Sequence, residues 1–225
     1  MSAPLRLVIF DVDGTLVDSQ ADILAAFAQA FAVVGRPLPA PADVMAIVGL
    51  SLDMAVRRLV PQISDADCAV MVEAYKDAYV ALRASMPISQ TSPFYPGCRE
   101  VLDQLHAIPE VLLGIATGKS RRGLDHLIKG HGLDGLFVTQ QVADFHPSKP
   151  HPSMILQAMA DAGVDPAQTV MVGDTSYDME MAAAAGVTGI GVNWGYHAPE
   201  ALGAAHHVID RFDELPAALD KIWSL

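Results

Sequence analysis

Two aspartates stand two positions apart, directly after a short apolar run near the N-terminus. Asp11 and Asp13 belong to the segment Asp11-Val12-Asp13-Gly14-Thr15, which follows the apolar run 5–10. Residues two apart on a strand point the same way, so both carboxylates are expected to face one site. Adjacent carboxylates repel each other unless a cation or a shared proton compensates. The pair therefore predicts a cation site in which one carboxylate attacks and the other transfers protons. The simpler alternative is an aspartate that ends the strand and caps the next helix.

A hydroxyl group and a lysine follow in two later motifs. Thr117-Gly118-Lys119 comes directly after the apolar run 111–116, where a hydroxyl and free backbone N–H groups at a helix start suit a phosphate oxygen. An ordinary helix cap at Thr117 or Ser120 is the alternative. In Lys149-Pro150-His151-Pro152 the prolines fix the loop and present a compact positive charge to a phosphoryl oxygen or a carboxylate. A solvated loop lysine is the alternative there.

A second pair of carboxylates follows the apolar run 169–172. Asp174 and Asp178 lie four residues apart in Gly173-Asp174-Thr175-Ser176-Tyr177-Asp178, at the start of a helical pattern. Carboxylates in this position suit a hard cation that prefers oxygen ligands, and they equally suit plain capping of the helix. Ligands bind beyond the carboxyl ends of parallel strands. The four motifs are therefore expected to meet at one edge of one sheet.

The elements that must position these motifs alternate along the chain. Short apolar runs predict strands, and helical patterns lie between most of them. This alternation predicts an α/β fold, a Rossmann-like parallel sheet with helices on both faces. The predicted strands are 5–10, 111–116, 169–172, 187–192 and 207–209. The predicted helices of this part are 99–107, 120–129, 152–162 and 178–185.

The stretch from about 17 to 93 contains helical patterns and no predicted strand. These patterns cover 23–34, 41–48, 51–60 and 65–84, and Pro87, Pro93 and Pro96-Gly97 mark the return. Ser19 and Asp22 are expected to form a loose capping box at the first of these helices. We therefore predict a discontinuous α/β core of residues 1–16 and 94–225, with an inserted helical cap domain at 17–93. The linkers near 16–19 and 90–97 are expected to let the cap hinge.

Composition limits the partners. The net charge is −12, which argues against nucleic acid or an anionic membrane as partner because both require a positive field. No stretch approaches the roughly 20 apolar residues of a membrane span. The two cysteines, Cys68 and Cys98, do not make a disulfide framework. These features lead us to expect a cytoplasmic protein. We further expect it to be a monomer or a homodimer.

The four motifs together resemble those of the haloacid dehalogenase-like hydrolases. Asp11-Val12-Asp13-Gly14-Thr15-Leu16 matches the first family motif, Thr117 the second, Lys149-Pro150 the third, and Gly173-Asp174 with Asp178 the fourth. The helical insertion is similar to the family's cap of the first type. Within the family, the sequence looks most like bacterial phosphoglycolate phosphatases and their relatives.

The resemblance implies a mechanism and a cofactor. Asp11 would attack phosphorus and form an aspartyl-phosphate, and Asp13 would act as the acid and then the base. The implied Mg²⁺ would be bound by the carboxylates of Asp11 and Asp174 and by the backbone carbonyl of Asp13. Asp178 would orient water beside the metal. The phosphoryl group would be held by Thr117, Gly118 and Lys149.

Asp13 separates the branches of the family. Dehalogenases and phosphonatases resemble this sequence but lack an aspartate there, whereas a phosphate ester needs an acid for its leaving oxygen. Asp13 thus favours a phosphatase acting on a small phosphorylated metabolite, with phosphoglycolate or a similar compact anion as the expected substrate. A phosphomutase for a sugar phosphate uses the same pair and is the alternative. An idle binding protein on this fold is disfavoured because the acidic residues and Lys149 are intact.

Substrate choice is expected to depend on the cap. Gly49 and Ser51 are expected to face the core site from the break between two cap helices. Arg57 and Arg58 are expected on the solvated surface. Trp194, Tyr196 and His197 follow a predicted strand near the rim of the site, and ordinary loop packing is the preferred interpretation of them.

Overall fold

A six-stranded parallel sheet forms the centre of the molecule. The computed structural model describes residues 4–223, except for the side chains of residues 83–85. The strand order is β3-β2-β1-β4-β5-β6, and all neighbours are parallel. The predicted α/β sheet is therefore confirmed. The strands are β1 Arg6–Phe10, β2 Val111–Thr117, β3 Thr139–Val142, β4 Thr169–Gly173, β5 Thr188–Val192 and β6 His207–Ile209.

β1 is central and buried on both faces, which explains its nearly continuous apolar run. It lies between β2 and β4, and Phe10 is in register with Ile115 and Val172. Alternate residues enter different clusters: Val8 and Phe10 pack on one face, whereas Leu7 and Ile9 pack on the other. A strand buried on both faces needs apolar residues at every position.

Helices cover both faces of the sheet, as predicted. The first face is covered by α6 Cys98–His106, α7 Arg121–Gly130 and α10 Leu215–Trp223, and the second by α8 Ser153–Ala162 and α9 Ser176–Ala185. The helix α9 ends at Gly186 in the left-handed conformation, which lets the chain turn into β5. The helix α10 was not among the predicted elements.

β3 was also missing from the predicted strands, because its sequence is Thr-Gln-Gln-Val. Its polar side chains are satisfied by tertiary hydrogen bonds that no local pattern reveals. The Gln141 side chain is buried, and its amide nitrogen donates to Asp161 at 2.7 Å. Its amide oxygen lies 2.8 Å from the His146 ring.

A helical insertion follows β1, as the patterns predicted. It has its own apolar cluster, separate from the two clusters on the sheet. Its two long helices, α1 and α4, pack against each other, with the rings of Phe27 and Tyr75 4.7 Å apart. The helices of the insertion are α1 Gln20–Val33, α2 Pro41–Met45, α3 Leu52–Leu59, α4 Asp65–Ser85 and α5 Ile88–Thr91.

The two linkers of the insertion lie side by side. Val17 forms an antiparallel bridge with Phe94, and the Asp18 amide donates to the Pro93 carbonyl at 2.9 Å. The predicted capping box at Ser19 is wrong, because the Ser19 side chain makes no cap hydrogen bond. Its hydroxyl donates to the Asp13 carboxylate instead.

The helices in residues 4–223 are all too short or too polar to span a bilayer.

Candidate active site

Lys149 joins the first and the fourth motif. Its ammonium lies 3.0 Å from Asp11 Oδ1 and 2.7 Å from Asp178 Oδ1, and the whole side chain is buried. Burial by itself lowers the pKa of a lysine, but Asp11 and Asp178 raise the pKa of Lys149 above its ordinary value. Lys149 is therefore a buried positive charge and not a solvated loop lysine.

Asp11 is buried and poorly satisfied. Within residues 4–223, neither of its carboxylate oxygens accepts a well-formed hydrogen bond, although Lys149 lies within ion-pair distance. Burial raises the pKa of Asp11 to about 7, and this effect outweighs the opposing attraction of Lys149. The positive charge beside the Asp11 carboxylate therefore does not fully replace the hydration that this carboxylate loses on burial.

Asp11, Asp174 and Asp178 form a buried acidic cluster whose oxygens approach within 4.8 Å of one another. Asp174 accepts hydrogen bonds from the Thr15 hydroxyl at 2.9 Å and from the Tyr196 amide at 2.8 Å. Burial raises the pKa of Asp174 well above its usual range, with further contributions from Asp178 and Asp11. Three buried carboxylates beside one ammonium leave an excess of negative charge. Together with the uncompensated oxygens of Asp11, this all-oxygen donor set fits a hard divalent cation.

Asp178 has two local functions at once. One oxygen accepts from Lys149, and the other accepts from the Thr175 amide at 3.1 Å and the Thr175 hydroxyl at 2.7 Å. The Asp178 amide in turn donates to the Thr175 hydroxyl at 3.2 Å, which completes a capping box at the start of α9. Asp178 therefore caps α9, as the alternative predicted, and also contacts the charged site through Lys149.

Asp13 faces the same cavity as Asp11 but has different partners. Lys119 Nζ lies 2.5 Å from one oxygen of Asp13 and 2.6 Å from the other. Lys119 also donates to the Tyr79 hydroxyl of α4 at 3.2 Å. The predicted site residues did not include Lys119, although it is the third residue of the Thr117-Gly118-Lys119 motif.

The second motif lies beneath the insertion. Thr117 is buried and Gly118 half-buried, and both line the cavity. Ser120, and not Thr117, caps α7 by accepting from the Gly123 amide at 3.2 Å. A Cβ at position 118 would lie 2.7 Å from the carbonyl oxygens of Gly49 and Leu50. Glycine is therefore required at 118 because the insertion approaches so closely.

The predicted cap residues lie at this contact. Gly49 and Ser51 both line the cavity, and the Ser51 amide donates to Ser148 Oγ of the core at 2.9 Å. Arg57 lies on the surface, where it pairs with Asp65 at 2.6 Å. Its expected solvated position is thus observed.

The loop after β5 has more than a packing role. Besides the bond from Tyr196 to Asp174, the Tyr196 hydroxyl accepts from the Ser19 amide at 2.8 Å. A Cβ at Gly195 would lie 2.1 Å from the Asp174 Cβ, so the loop packs directly on that carboxylate. The interpretation as ordinary loop packing missed this contact. A glycine between two aromatic residues at the same sheet edge is the signal that could have revealed it.

A cavity of about 740 Å³ lies between the insertion and the carboxyl edge of the sheet. Asp11, Asp13, Thr117 and Lys119 line its floor, and the helices of the insertion line its walls. The first two motifs line this cavity, and Asp11 connects them to Lys149 and to the acidic cluster, so the four motifs lie at one edge of the sheet as predicted. The structure thus brings Asp11 close to Asp13, which is paired with Lys119, and to the buried ammonium of Lys149. The acidic cluster beside them has the oxygen donors that a divalent cation requires.

Comparisons with known proteins agree with this geometry. A protein from Dickeya dadantii named "Probable phosphatase IndB" is 35% identical over 97% of this chain and 95% of its own length. A phosphoglycolate phosphatase from Vibrio vulnificus is 30% identical over 89% of each chain.

Solved structures show the same fold. A hydrolase from Pseudomonas syringae has a TM-score of 0.84 at 26% identity, covering 96% of this chain and 99% of that one. A β-phosphoglucomutase from Clostridium difficile has a TM-score of 0.81 at 19% identity, covering 98% and 100%. The latter likeness concerns the fold alone.

The family assignment rests on residues 8–192, which match the family model described as haloacid dehalogenase-like hydrolase. This range contains the acidic cluster, Lys149 and the whole helical insertion. The resemblance inferred from the motifs is confirmed. The chain belongs to the haloacid dehalogenase-like hydrolases, and its curated relatives named here are phosphatases.

Proposed function

We propose that this protein is a Mg²⁺-dependent phosphatase that hydrolyses a small phosphate monoester through an aspartyl-phosphate at Asp11. The observation that carries the proposal is the state of Asp11. It is buried, its oxygens accept no well-formed hydrogen bond within residues 4–223, and one of them lies 3.0 Å from Lys149 Nζ. Such a carboxylate has lone pairs available to an electrophile, beside a positive charge that attracts a phosphate.

In the first step, an Asp11 oxygen forms a bond to phosphorus while the bond from phosphorus to the ester oxygen breaks. Asp13 gives its proton to that oxygen, so the alcohol leaves neutral. Lys149 neutralises negative charge on the phosphoryl oxygens. The Thr117 hydroxyl and the Gly118 amide, which line the cavity floor, hold these oxygens in place.

In the second step, Asp13 accepts a proton from a water molecule whose oxygen bonds to phosphorus. The bond between phosphorus and Asp11 breaks, which releases inorganic phosphate and restores the Asp11 carboxylate. Asp13 is then protonated again and ready for the next ester. Lys119, paired with both oxygens of Asp13, positions this carboxylate to accept the proton of the attacking water.

The carboxylates of Asp11 and Asp174 and the backbone carbonyl of Asp13 would hold Mg²⁺. When bound, the cation supplies charge neutralisation to a phosphate that approaches a carboxylate. Asp178 has one oxygen on Lys149 and the other on Thr175, so it holds the lysine in place beside the acidic cluster.

Residues 17–93 act as a cap domain over a core of residues 1–16 and 94–225. Support comes from the separate apolar cluster of the insertion and from the paired linkers at Val17 and Phe94. Opening of the cap admits the substrate, and its closure excludes water other than the attacking molecule. The partner is a small phosphorylated metabolite, and the oligomeric state is monomer or homodimer. The free cysteines Cys68 and Cys98 are consistent with a reducing cytoplasm.

The test is release of inorganic phosphate from a panel of phosphorylated metabolites, with and without Mg²⁺. Phosphoglycolate belongs in the panel because relatives of this chain carry its name. Asp11→Asn is expected to lower kcat by at least about 10³-fold in a folded protein, because it removes the attacking group. The exposed Asp134→Asn serves as the control.

Two results would contradict the proposal. Absence of turnover of every panel member by folded, Mg²⁺-loaded protein would exclude phosphatase activity towards the panel. Conversion of a sugar 1-phosphate to its 6-phosphate, faster than phosphate release, would instead identify a phosphomutase.

A further inference from the structure

The cavity above the acidic cluster is larger than a compact acid requires. Its volume is about 740 Å³. It lies in the upper part of the range of about 300–1,000 Å³ found for small-molecule sites. Asp11 and Asp13 occupy its floor, and most of the other lining residues belong to the helical insertion.

The walls that the insertion contributes are apolar and aromatic. Phe27 from α1, Val48 and Leu50 from the segment after α2, and Val72 and Tyr75 from α4 all line the cavity. The rings of Phe27 and Tyr75 lie 4.7 Å apart at an interplanar angle of 57°. Phe27 is only 2% exposed and supports the wall from behind, whereas the partly exposed Leu50, Val72 and Tyr75 offer accessible apolar surface to the group attached to the phosphate.

The charged groups that the structure describes in the cavity lie at its floor and at its exposed rim, and the rim includes the carboxylates of Asp53 and Asp144. Lys119 at the floor is paired with Asp13. Lys76, Arg122 and His126 line the cavity from exposed positions, and Lys76 is paired with Glu73 at 2.8 Å. Among the residues whose side chains the structure describes, those that line the cavity between floor and rim are mainly apolar or aromatic, which suits an uncharged body better than a carboxylate.

We propose that this cavity binds the leaving group of a phosphate monoester that carries a flat apolar body of about one aromatic ring. Val72 and Tyr75 contribute to this specificity from α4, opposite the catalytic floor. The inference rests on the proposed phosphatase function and names a substrate class beyond compact anions such as phosphoglycolate.

The test compares benzyl phosphate with ethyl phosphate and phosphoglycolate on the wild-type enzyme with Mg²⁺. Benzyl and ethyl phosphate both release a primary alcohol, so their intrinsic reactivities are close and the comparison reports on binding of the ring. We expect kcat/KM for benzyl phosphate to exceed that for each of the other two by at least about 10-fold, the effect of a modest apolar contact in a specificity pocket.

A pair of matched variants locates the effect on the cavity wall. Val72→Thr keeps the shape of the side chain but places a hydroxyl in the apolar wall. It is expected to lower the ratio of kcat/KM for benzyl over ethyl phosphate by at least about 3-fold, roughly the effect of one buried methylene. Val70→Thr makes the same change on the exposed side of the same helix, outside the cavity, and should leave the ratio unchanged.

The outcomes separate this inference from the function on which it rests. If no ester releases phosphate, the proposed function fails and the inference fails with it. If ethyl phosphate or phosphoglycolate is hydrolysed as efficiently as benzyl phosphate, the phosphatase function stands and the substrate class is wrong. The wild-type comparison decides this even where a variant fails to fold.

Discussion

Lys119 Nζ lies 2.5 Å and 2.6 Å from the two carboxylate oxygens of Asp13, and the same nitrogen lies 3.2 Å from the Tyr79 hydroxyl. Both side chains of the ion pair are nearly buried, at 7% exposure for Lys119 and 12% for Asp13. One lysine thus links the acid–base candidate of the core to helix α4 of the insertion. The position of Asp13 is therefore physically connected to helix α4 of the insertion.

Replacing Lys119 should impair the reaction because the Asp13 side chain loses the ion pair that fixes its position. Lys119→Met keeps most of the apolar stem but removes the ammonium that holds both oxygens. We expect a loss of about 10²-fold in kcat, the usual consequence of misplacing a catalytic group by about 1 Å. The pH profile of kcat should also shift, which a purely structural defect would not produce. Exposed Lys129→Met on α7 is the control, and an unaltered kcat and pH profile in Lys119→Met would refute the role.

A methyl group at position 118 should hold the insertion away from the core. In Gly118→Ala the new Cβ would meet the carbonyl oxygens of Gly49 and Leu50 at 2.7 Å, and backbone atoms there cannot turn aside as a side chain can. We expect kcat/KM to fall at least about 10-fold, with a more open molecule by small-angle scattering.

Gly203→Ala provides the control for this substitution. Its φ is −58°, and a Cβ there would meet its nearest neighbour, the Glu200 carbonyl oxygen, at 3.8 Å. If Gly118→Ala matched this control in both activity and scattering, close approach of the insertion would be irrelevant to the reaction.

Mg²⁺ should stabilise the fold through the acidic cluster. The buried carboxylates of Asp11, Asp174 and Asp178 repel one another, so a bound cation removes an unfavourable charge interaction. At 100 times its Kd, Mg²⁺ is expected to raise the free energy of unfolding by about 2.7 kcal/mol. Thermal unfolding with Mg²⁺ and with a chelator measures this difference.

Asp174→Asn should abolish most of that Mg²⁺-dependent stabilisation, because the variant removes one charged ligand. Asp134→Asn, at an exposed position, should retain it. An equal stabilisation of the wild type and Asp174→Asn by Mg²⁺ would place the cation elsewhere.

His131 should contribute to the loss of stability in acid. It packs on Phe94 of the return linker, with ring centroids 4.1 Å apart, and its Nε2 donates to the Ser92 carbonyl at 2.9 Å. Burial lowers the pKa of His131 below its usual 6.5. The unfolded chain therefore binds a proton at His131 more readily than the folded protein does. The contribution of neutral His131 to the free energy of unfolding is fully present above pH 6.5 and is lost as the pH falls through the lowered pKa of the folded protein.

Denaturant unfolding at pH 7.5 and pH 5 measures the effect. His131→Asn should lose less stability between these two pH values than the wild type, whereas His106→Asn, at an exposed position, should lose as much as the wild type. If His131→Asn lost as much stability between pH 7.5 and pH 5 as the wild type, groups other than His131 would cause the acid sensitivity.

Much of the site could be predicted from local sequence because the chemistry follows strand ends. Asp11 comes after β1, Thr117 ends β2 and Asp174 comes after β4. Strands that run parallel bring their carboxyl ends to one edge, so polar residues at those ends must meet. Apolar runs buried on both faces made these strands recognisable. β3 escaped prediction because its two glutamines interrupt any apolar run, and the partner of Gln141 on α8, Asp161, lies 20 residues away.

The sequence by itself determined the fold class, the helical insertion and the carboxylates and lysine of the site. Only the tertiary structure decided the partners of those groups. Lys119 and Asp13 are 106 residues apart, and Tyr196 and Asp174 are 22 residues apart, with α9 and β5 between them. Apolar periodicity is a local property that every segment carries. The choice among several possible partners for a charged group depends on which residues share its buried space, and that is known only once the chain has folded.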